Sequence, residues 1–270
     1  MLIDTHCHLD ALEFAADRDA VIKRAGREGV GAIVIPAVDR ANFDAVETLA
    51  QRFVGGYYAL GIHPIAVPDA QEEDLELLEQ RLEAALHDDR FVGVGEIGLD
   101  FFLPELKQPA MRDKQVRFFE AQLQLAQGFG LPVIMHVRRS QDDILKYVRR
   151  CSGLTGIAHA FNGSFQQAGQ FIDLGFALGF GGAMTFERAL QIRRLASRLP
   201  LDALVLETDA PDIPPAWLSR PGEAPPRNEP AQLARIGHEL ARLRGLAYED
   251  VVAATGNNAR RVLPRLLAQG

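Results

Sequence analysis

The chain has 270 residues, 47% hydrophobic and 24% charged, a composition that suits one large α/β domain over residues 1–270. Its net charge of −7 excludes a protein that coats duplex nucleic acid non-specifically, because that mode needs a basic surface. Two cysteines give neither a disulfide framework nor a zinc spacing, and no stretch reads as a signal peptide or a bilayer span, so the expectation is a cytoplasmic protein without membrane attachment.

The first predicted strand, "LIDTH" (2–6), opens the chain and runs into "IDTHCHLD" (3–10). Side chains alternate faces along a strand, so His6 and His8 share one face and Cys7 points the other way, as a small packing residue. A helical segment (18–29) follows, then strands "GAIVIPAV" (31–38) and "YYALGIH" (57–63). The segment 72–88 puts Leu75, Leu78, Leu82 and Leu86 on one helical face, as expected of a helix packed on a sheet. Strand four is "FVGVGEIG" (91–98), and a helix over 113–130 groups Val116, Phe119, Leu123 and Ala126. Strands "LPVIMHV" (131–137), "GIAHAF" (156–161), "FALGFGGAM" (176–184) and "ALVLETDA" (203–210) complete eight. Short Val/Ile/Leu-rich runs bounded by Gly or Pro read as buried parallel strands. Eight of them with crossovers predict a (β/α)8 TIM barrel. An open doubly wound sheet is the alternative, but no Gly-x-Gly-x-x-Gly follows strand one. Residues 211–230 hold seven of the fifteen prolines, as a substrate wall, a lid or a rigid connector. "RNEP" (227–230) reads as a helix start capped by Asn228, with Arg227 at the rim.

The ionisable residues fall at the C-terminal ends of these runs: His6 and His8, His63, Glu96, His136 and Arg138, His159, and Glu207 with Asp209. Five of the seven histidines are in this set; His87 and His238 are in helical segments. A barrel mouth converges such positions on one volume, and buried ionisable groups are costly unless paired or metal-bound. The expected division gives His6, His8 and Asp209 to one ion and His136 and His159 to a second, with Glu96 bridging. Two divalent ions roughly 3.5–4 Å apart could share a hydroxide and polarise a phosphoryl or carbonyl oxygen. The ligand types favour Zn²⁺, Mn²⁺, Fe²⁺ or Co²⁺ over Mg²⁺. Asp209 is also placed to take a proton from that water, and Arg138 to clamp a phosphate. Glu207 and Asp4 are read as partners behind the ligands. His63 is read as a substrate contact or supporting residue, and Arg227 as a substrate contact.

With "DTHCHLD", "GIHP", "VGEIGLDFF", "LPVIMHVRRS", "HAFNGS", "GGAMTF", "LETDAP" and "RNEP" in order, the chain resembles the TatD family of metal-dependent deoxyribonucleases, in particular its YjjV-like branch, nearly end to end. The resemblance implies an amidohydrolase-type TIM barrel with one or two divalent metals that cleaves DNA, often from the 3′ end. The family's metal positions match His6, His8, Glu96, His136, His159 and Asp209. Many members read Gly-x-His-Pro-His and His-Cys-Phe-Ser-Gly, where this chain has Ile65, Ala160 and Asn162. These departures touch substrate contacts and no expected ligand.

The leading expectation is therefore a 3′–5′ exonuclease that attacks phosphodiester bonds with metal-bound hydroxide. Its catalytic residues are Glu96, Asp209 and Arg138, its substrate single-stranded DNA or nucleic-acid ends, and no obligatory protein partner is evident. The competing reading is an amidohydrolase-like enzyme for a small ester, amide or phosphotriester. A mouth sealed by residues 211–230 would favour the latter; an open groove lined by Arg138, Arg139, Arg220 and Arg227 would favour a strand.

Overall fold

The computed structural model describes residues 1–219, 222–224 and 226–266; Arg220 lies outside them. Eight strands form one parallel sheet in chain order: β1 (Leu2–Asp4), β2 (Val30–Pro36), β3 (Gly56–Leu60), β4 (Phe91–Asp100), β5 (Val133–Arg138), β6 (Gly156–Ala158), β7 (Ala177–Phe180) and β8 (Leu204–Leu206). The sheet curls until its first and last strands meet. Thr5 N donates to Leu206 O at 3.1 Å, Asp209 N to His6 O at 2.8 Å and His8 N to Ala210 O at 2.8 Å. This is the barrel that the strand count predicts, not the open sheet. The connecting helices are α1 (Arg18–Arg27), α2 (Phe43–Gln51), α3 (Glu72–Ala85), α4 (Pro109–Phe129), α5 (Gln141–Val148), α6 (Phe165–Asp173), α7 (Leu190–Arg198) and α8 (Leu233–Arg244), followed by α9 (Tyr248–Val262).

The strands are apolar on both faces because both faces are covered; all ten residues of β4 are buried. One buried cluster draws on every strand: Ile3, Ala32 and Val34, Tyr57 and Ala59, Val92, Ile134, Ile157, Ala177 and Val205. It fills the barrel interior, and Ala259, Val262, Leu263 and Leu266 in and after α9 join it. A larger cluster packs the outer faces against the helices, and Cys7 belongs to it.

The interior parity explains the mouth. Two residues beyond Ile134 and Ile157 come His136 and His159. Beyond Val205 come Glu207 and Asp209, and four beyond Val92 comes Glu96. The predicted strands overran these ends: β6 stops at Ala158 and β8 at Leu206. Single backbone bonds continue past those ends, His159 N to Met135 O at 3.0 Å and Glu207 N to Phe180 O at 3.3 Å, while the side chains turn into the mouth.

Helix α4 extends to Pro109 in its first turn and stops at Gly130, whose left-handed φ of 65° suits glycine. Its buried face is not wholly apolar. Gln122 Oε1 accepts from Ile62 N at 2.7 Å while its Nε2 donates to Ile62 O. Gln115 Oε1 accepts from Asp100 N at 2.9 Å. The helix thus fixes the loop that carries His63 and the end of β4 at Asp100.

The proline-rich segment after β8 is anchored on both sides. Ala216 N donates to Thr185 Oγ1 and Trp217 Nε1 to Gln232 Oε1. Asn228 is not the expected cap; the residue before the short helical turn at Pro230–Gln232 is Glu229. Asn228 is instead fully buried, and its Nδ2 donates to Thr208 O and Asp212 O, both at 2.9 Å. Buried carbonyls must find donors, and here an interior amide serves the turn that bears Asp209.

Candidate metal centre

Glu96 is the hub. Its Oε1 lies 3.0 Å from His136 Nδ1, 3.1 Å from His159 Nε2 and 3.2 Å from His63 Nε2. Its Oε2 lies 3.0 Å from His6 Nε2 and 3.4 Å from His8 Nε2. Asp209 Oδ1 is 3.6 Å from His6 Nε2 and 3.8 Å from His8 Nε2. The two carboxylate oxygens therefore face two different sets of imidazoles. Three groups offer ligand atoms close enough to share an ion: His6, His8 and Asp209; His6, Glu96 and His159; and His63, Glu96 and His136.

The donor set fits a cation. Glu96 Oε2 is buried and has no hydrogen-bond partner among the described residues. His6 Nε2 and His8 Nε2 face each other at 3.2 Å, so two ring nitrogens and a carboxylate oxygen converge on one point. Electrostatics agrees. Burial, reinforced by the charge of His159, holds His6 well below the usual imidazole range, and burial takes His63 down to about 4. At His8 burial is outweighed by Glu96 and Asp209, which carry it up to about 9. Against burial, Glu96 and Asp209 raise His159, and Asp100 and Glu96 raise His136. Glu96 stays well below the carboxylate range because the surrounding imidazoles overcome its burial. Burial lifts Asp209 to about 6. Protein protons thus supply the positive charge that the carboxylates require, and a divalent ion would replace them.

Behind the candidate ligands stand the groups that orient them. His136 Nε2 is 3.2 Å from Asp100 Oδ2, which aims Nδ1 at Glu96. His159 Nδ1 is 3.5 Å from Glu207 Oε1, and Glu207 also accepts from Ala160 N at 2.6 Å. A side chain at Gly179 would collide with the Glu207 carboxylate, so glycine is required there. Asp4 accepts from Thr208 N and Oγ1, at 2.9 and 2.6 Å, across the β1–β8 seam, and burial raises it to about 8. Asp209 itself adopts a φ of 55°, a strained value for a residue with a Cβ that the Asp4 and Asn228 contacts hold in place.

The six expected ligands all converge. His63 joins them, but Ile65 N donates to its Nδ1 at 2.9 Å. Nδ1 therefore keeps its lone pair and Nε2 carries the proton, which makes His63 a donor in this geometry. Arg138 lines the mouth, half-exposed, with Nη1 3.6 Å from Asp100 Oδ2. Arg227 has its guanidinium on Asp17, at 2.7 and 2.9 Å, and on Glu13 O at 2.8 Å, over the Phe14 ring. Asp100, Gln115, Gln122 and Thr208 were not singled out from the sequence. Only Asp100 carried a signal there, sharing the parity of Glu96 within "GEIGLD".

The mouth above the cluster is a cavity of about 940 Å³. Pro211, Asp212 and Ile213 make the proline-rich segment one of its walls. Among the described residues no helix is long and apolar enough to cross a membrane.

A family model described as TatD-related DNase matches residues 3–264. An uncharacterized metal-dependent hydrolase of Escherichia coli K12, YjjV, is 39% identical over 258 residues, covering 95% of each chain. The crystal structure of that homologue superposes with a TM-score of 0.88 at 38% identity, covering 97% of this chain and 98% of the other. The human protein named deoxyribonuclease TATDN3 is 29% identical over 272 residues, covering 98% of this chain and 95% of its own.

Proposed function

Because the chain belongs to the TatD-related DNase family of metal-dependent hydrolases, we propose that it hydrolyses phosphodiester bonds at the ends of single-stranded DNA, from the 3′ end. The observation that carries this reading is the split environment of Glu96, each of whose oxygens faces its own imidazoles. His6, His8 and Asp209 would hold one divalent ion, His136 and His159 a second, and Glu96 would span both. Such ions supply Lewis acidity toward a phosphoryl oxygen and make water acidic enough to attack at neutral pH.

The remaining work belongs to the chain's own side chains. Asp209, at the edge of the cluster, accepts the proton of the attacking water. His63 offers its Nε2 proton to a phosphoryl oxygen, while Ile65 N fixes its ring. The Arg138 guanidinium forks onto the phosphate and offsets its growing charge. A small ester would leave much of a 940 Å³ mouth unfilled, whereas a terminal nucleotide with its neighbour would use it. The name of human TATDN3 supports DNA as the substrate.

The test is digestion of 3′- and 5′-labelled single strands with Mg²⁺, Mn²⁺ or Zn²⁺, with Glu96→Ala beside the wild type. The expected result is stepwise shortening from the 3′ end, reduced about a hundredfold or more in the variant. Equal product from both proteins would refute the reading.

A further inference from the structure

The mouth carries cations on one side and carboxylates on the other. Phe102, two residues beyond the end of β4, is 40% exposed. The guanidinium carbons of Arg138 and Arg139 lie 4.1 and 4.8 Å from its ring centroid. Arg139 has no carboxylate partner among the described residues, and Arg138 meets only Asp100, at 3.6 Å. Arg139 also holds a φ of 55°, an expensive conformation for a residue with a Cβ. All three side chains line the same cavity as the metal-centre residues. In an eight-stranded barrel taken in chain order, β4 and β5 stand across from β8 and β1. On that far side Asp10, Glu13 and Asp212 line the cavity.

An exposed aromatic ring among uncommitted guanidiniums costs stability and solubility unless something uses it. Its chemistry suits a nucleobase, which stacks on aromatic and guanidinium planes while its phosphate pairs with the arginines. Carboxylates opposite would repel a second run of phosphates.

We propose that Phe102, Arg138 and Arg139 form a base-stacking subsite that seats an unpaired nucleobase beside the scissile phosphate and leads the strand out over the β4–β5 rim alone. This deepens the phosphodiesterase reading and rests on it for the identity of the ligand. It also gives a physical reason for cutting at ends: phosphates have a favourable path on one side of the metal centre and an unfavourable one on the other. Arg138 is close enough to serve both phosphate and platform, since Asp100 links it to His136.

Metal-free protein in EDTA, titrated with single-stranded DNA carrying 2-aminopurine at the 3′ or the 5′ terminus, reads the platform without turnover. Stacking should quench the fluorophore at one terminus in the wild type. Phe102→Ala should bind about tenfold more weakly with the quench lost, and Phe102→Trp should restore both. In turnover, the wild type should prefer a terminal nucleotide with its base over an abasic one, and Phe102→Ala should lose that preference. No quench at either terminus, or equal affinity in Phe102→Ala, would overturn the proposal. Hydrolysis of bis(4-nitrophenyl) phosphate by the wild type separates the two ideas. If it is absent, the phosphodiesterase chemistry fails while the fluorescence titration still decides the platform. If it is present and Phe102 proves indifferent, only the platform fails.

Discussion

At the scale of single residues, the candidate metal centre also rests on side chains outside the candidate ligand set. Asp100 is the clearest case. Burial pushes its carboxyl up, but His136 and the amides of Phe102 and Leu103 outweigh burial and hold it down at about 2. It is therefore charged throughout the physiological range, and it keeps His136 Nδ1 aimed inward. Asp100→Asn keeps the shape and removes the charge. Divalent-ion affinity by isothermal titration should fall about 10- to 100-fold; an unchanged affinity would mean that His136 is oriented by other contacts. The candidate ligands were legible in the sequence because each ends an apolar run. Asp100 carried only the weak signal of sharing the parity of Glu96, since an aspartate at the end of an apolar run is commonplace. Arg227 illustrates a contact that the sequence hides. Its partner Asp17 is 210 positions away, and no local pattern tells a guanidinium at a rim from one already engaged. Asn228 likewise reads as a cap, since the wish of Asn for backbone partners is visible while its burial is not.

At the scale of elements, polar side chains on helices decide where the loops of the mouth sit. Gln115 and Gln122 occupy the inner face of α4, where periodicity alone predicts apolar residues, and each spends its amide on a loop backbone. Helix α3 shows the same economy at its start. Asp74 Oδ2 accepts from Gln71 N at 2.9 Å and its Oδ1 from Arg40 Nη1 at 2.7 Å. Burial raises this carboxyl, but Arg40 and the Gln71 amide leave it below its ordinary 3.8. A depressed carboxylate stabilises the fold fully above that ordinary value, and its contribution fades as the pH falls through the lower folded value. Asp74→Ala should therefore cost about 1 kcal/mol at pH 7, with the gap to wild type closing below about pH 4, as read by urea unfolding. A gap independent of pH would assign the loss to packing. Strand number and order were legible from apolar runs, whereas strand ends were not. Burial and isolated backbone bonds both continue past the regular strand ends at His159 and Glu207, so apolar character does not mark where the regular ladder stops.

At the scale of the whole molecule, an acidic protein concentrates exposed cations at one quarter of its opening, so overall charge is a poor guide to what the opening binds. A divalent ion taking the place of the cluster's protons would also reach the fold. Saturating Zn²⁺ or Mn²⁺ at about 100 times its dissociation constant should add about 2.7 kcal/mol, a rise in Tm of about 5–10 °C, and Glu96→Gln should abolish most of it. A wild-type Tm indifferent to both ions would contradict a built metal centre. Barrel closure could be counted from eight runs, but the base of the barrel could not, because nothing in the α9 sequence distinguishes a helix that seals an interior from one that packs on a flank. That seal sets an order of events during synthesis. Residues 1–8, which carry two of the imidazoles, are made long before their neighbours along the β8 seam and beneath the barrel in α9. β1 can pair with β2 early in synthesis, but its seam edge stays open until β8 is made, so His6, His8 and Asp209 come together only after residue 209 has been added.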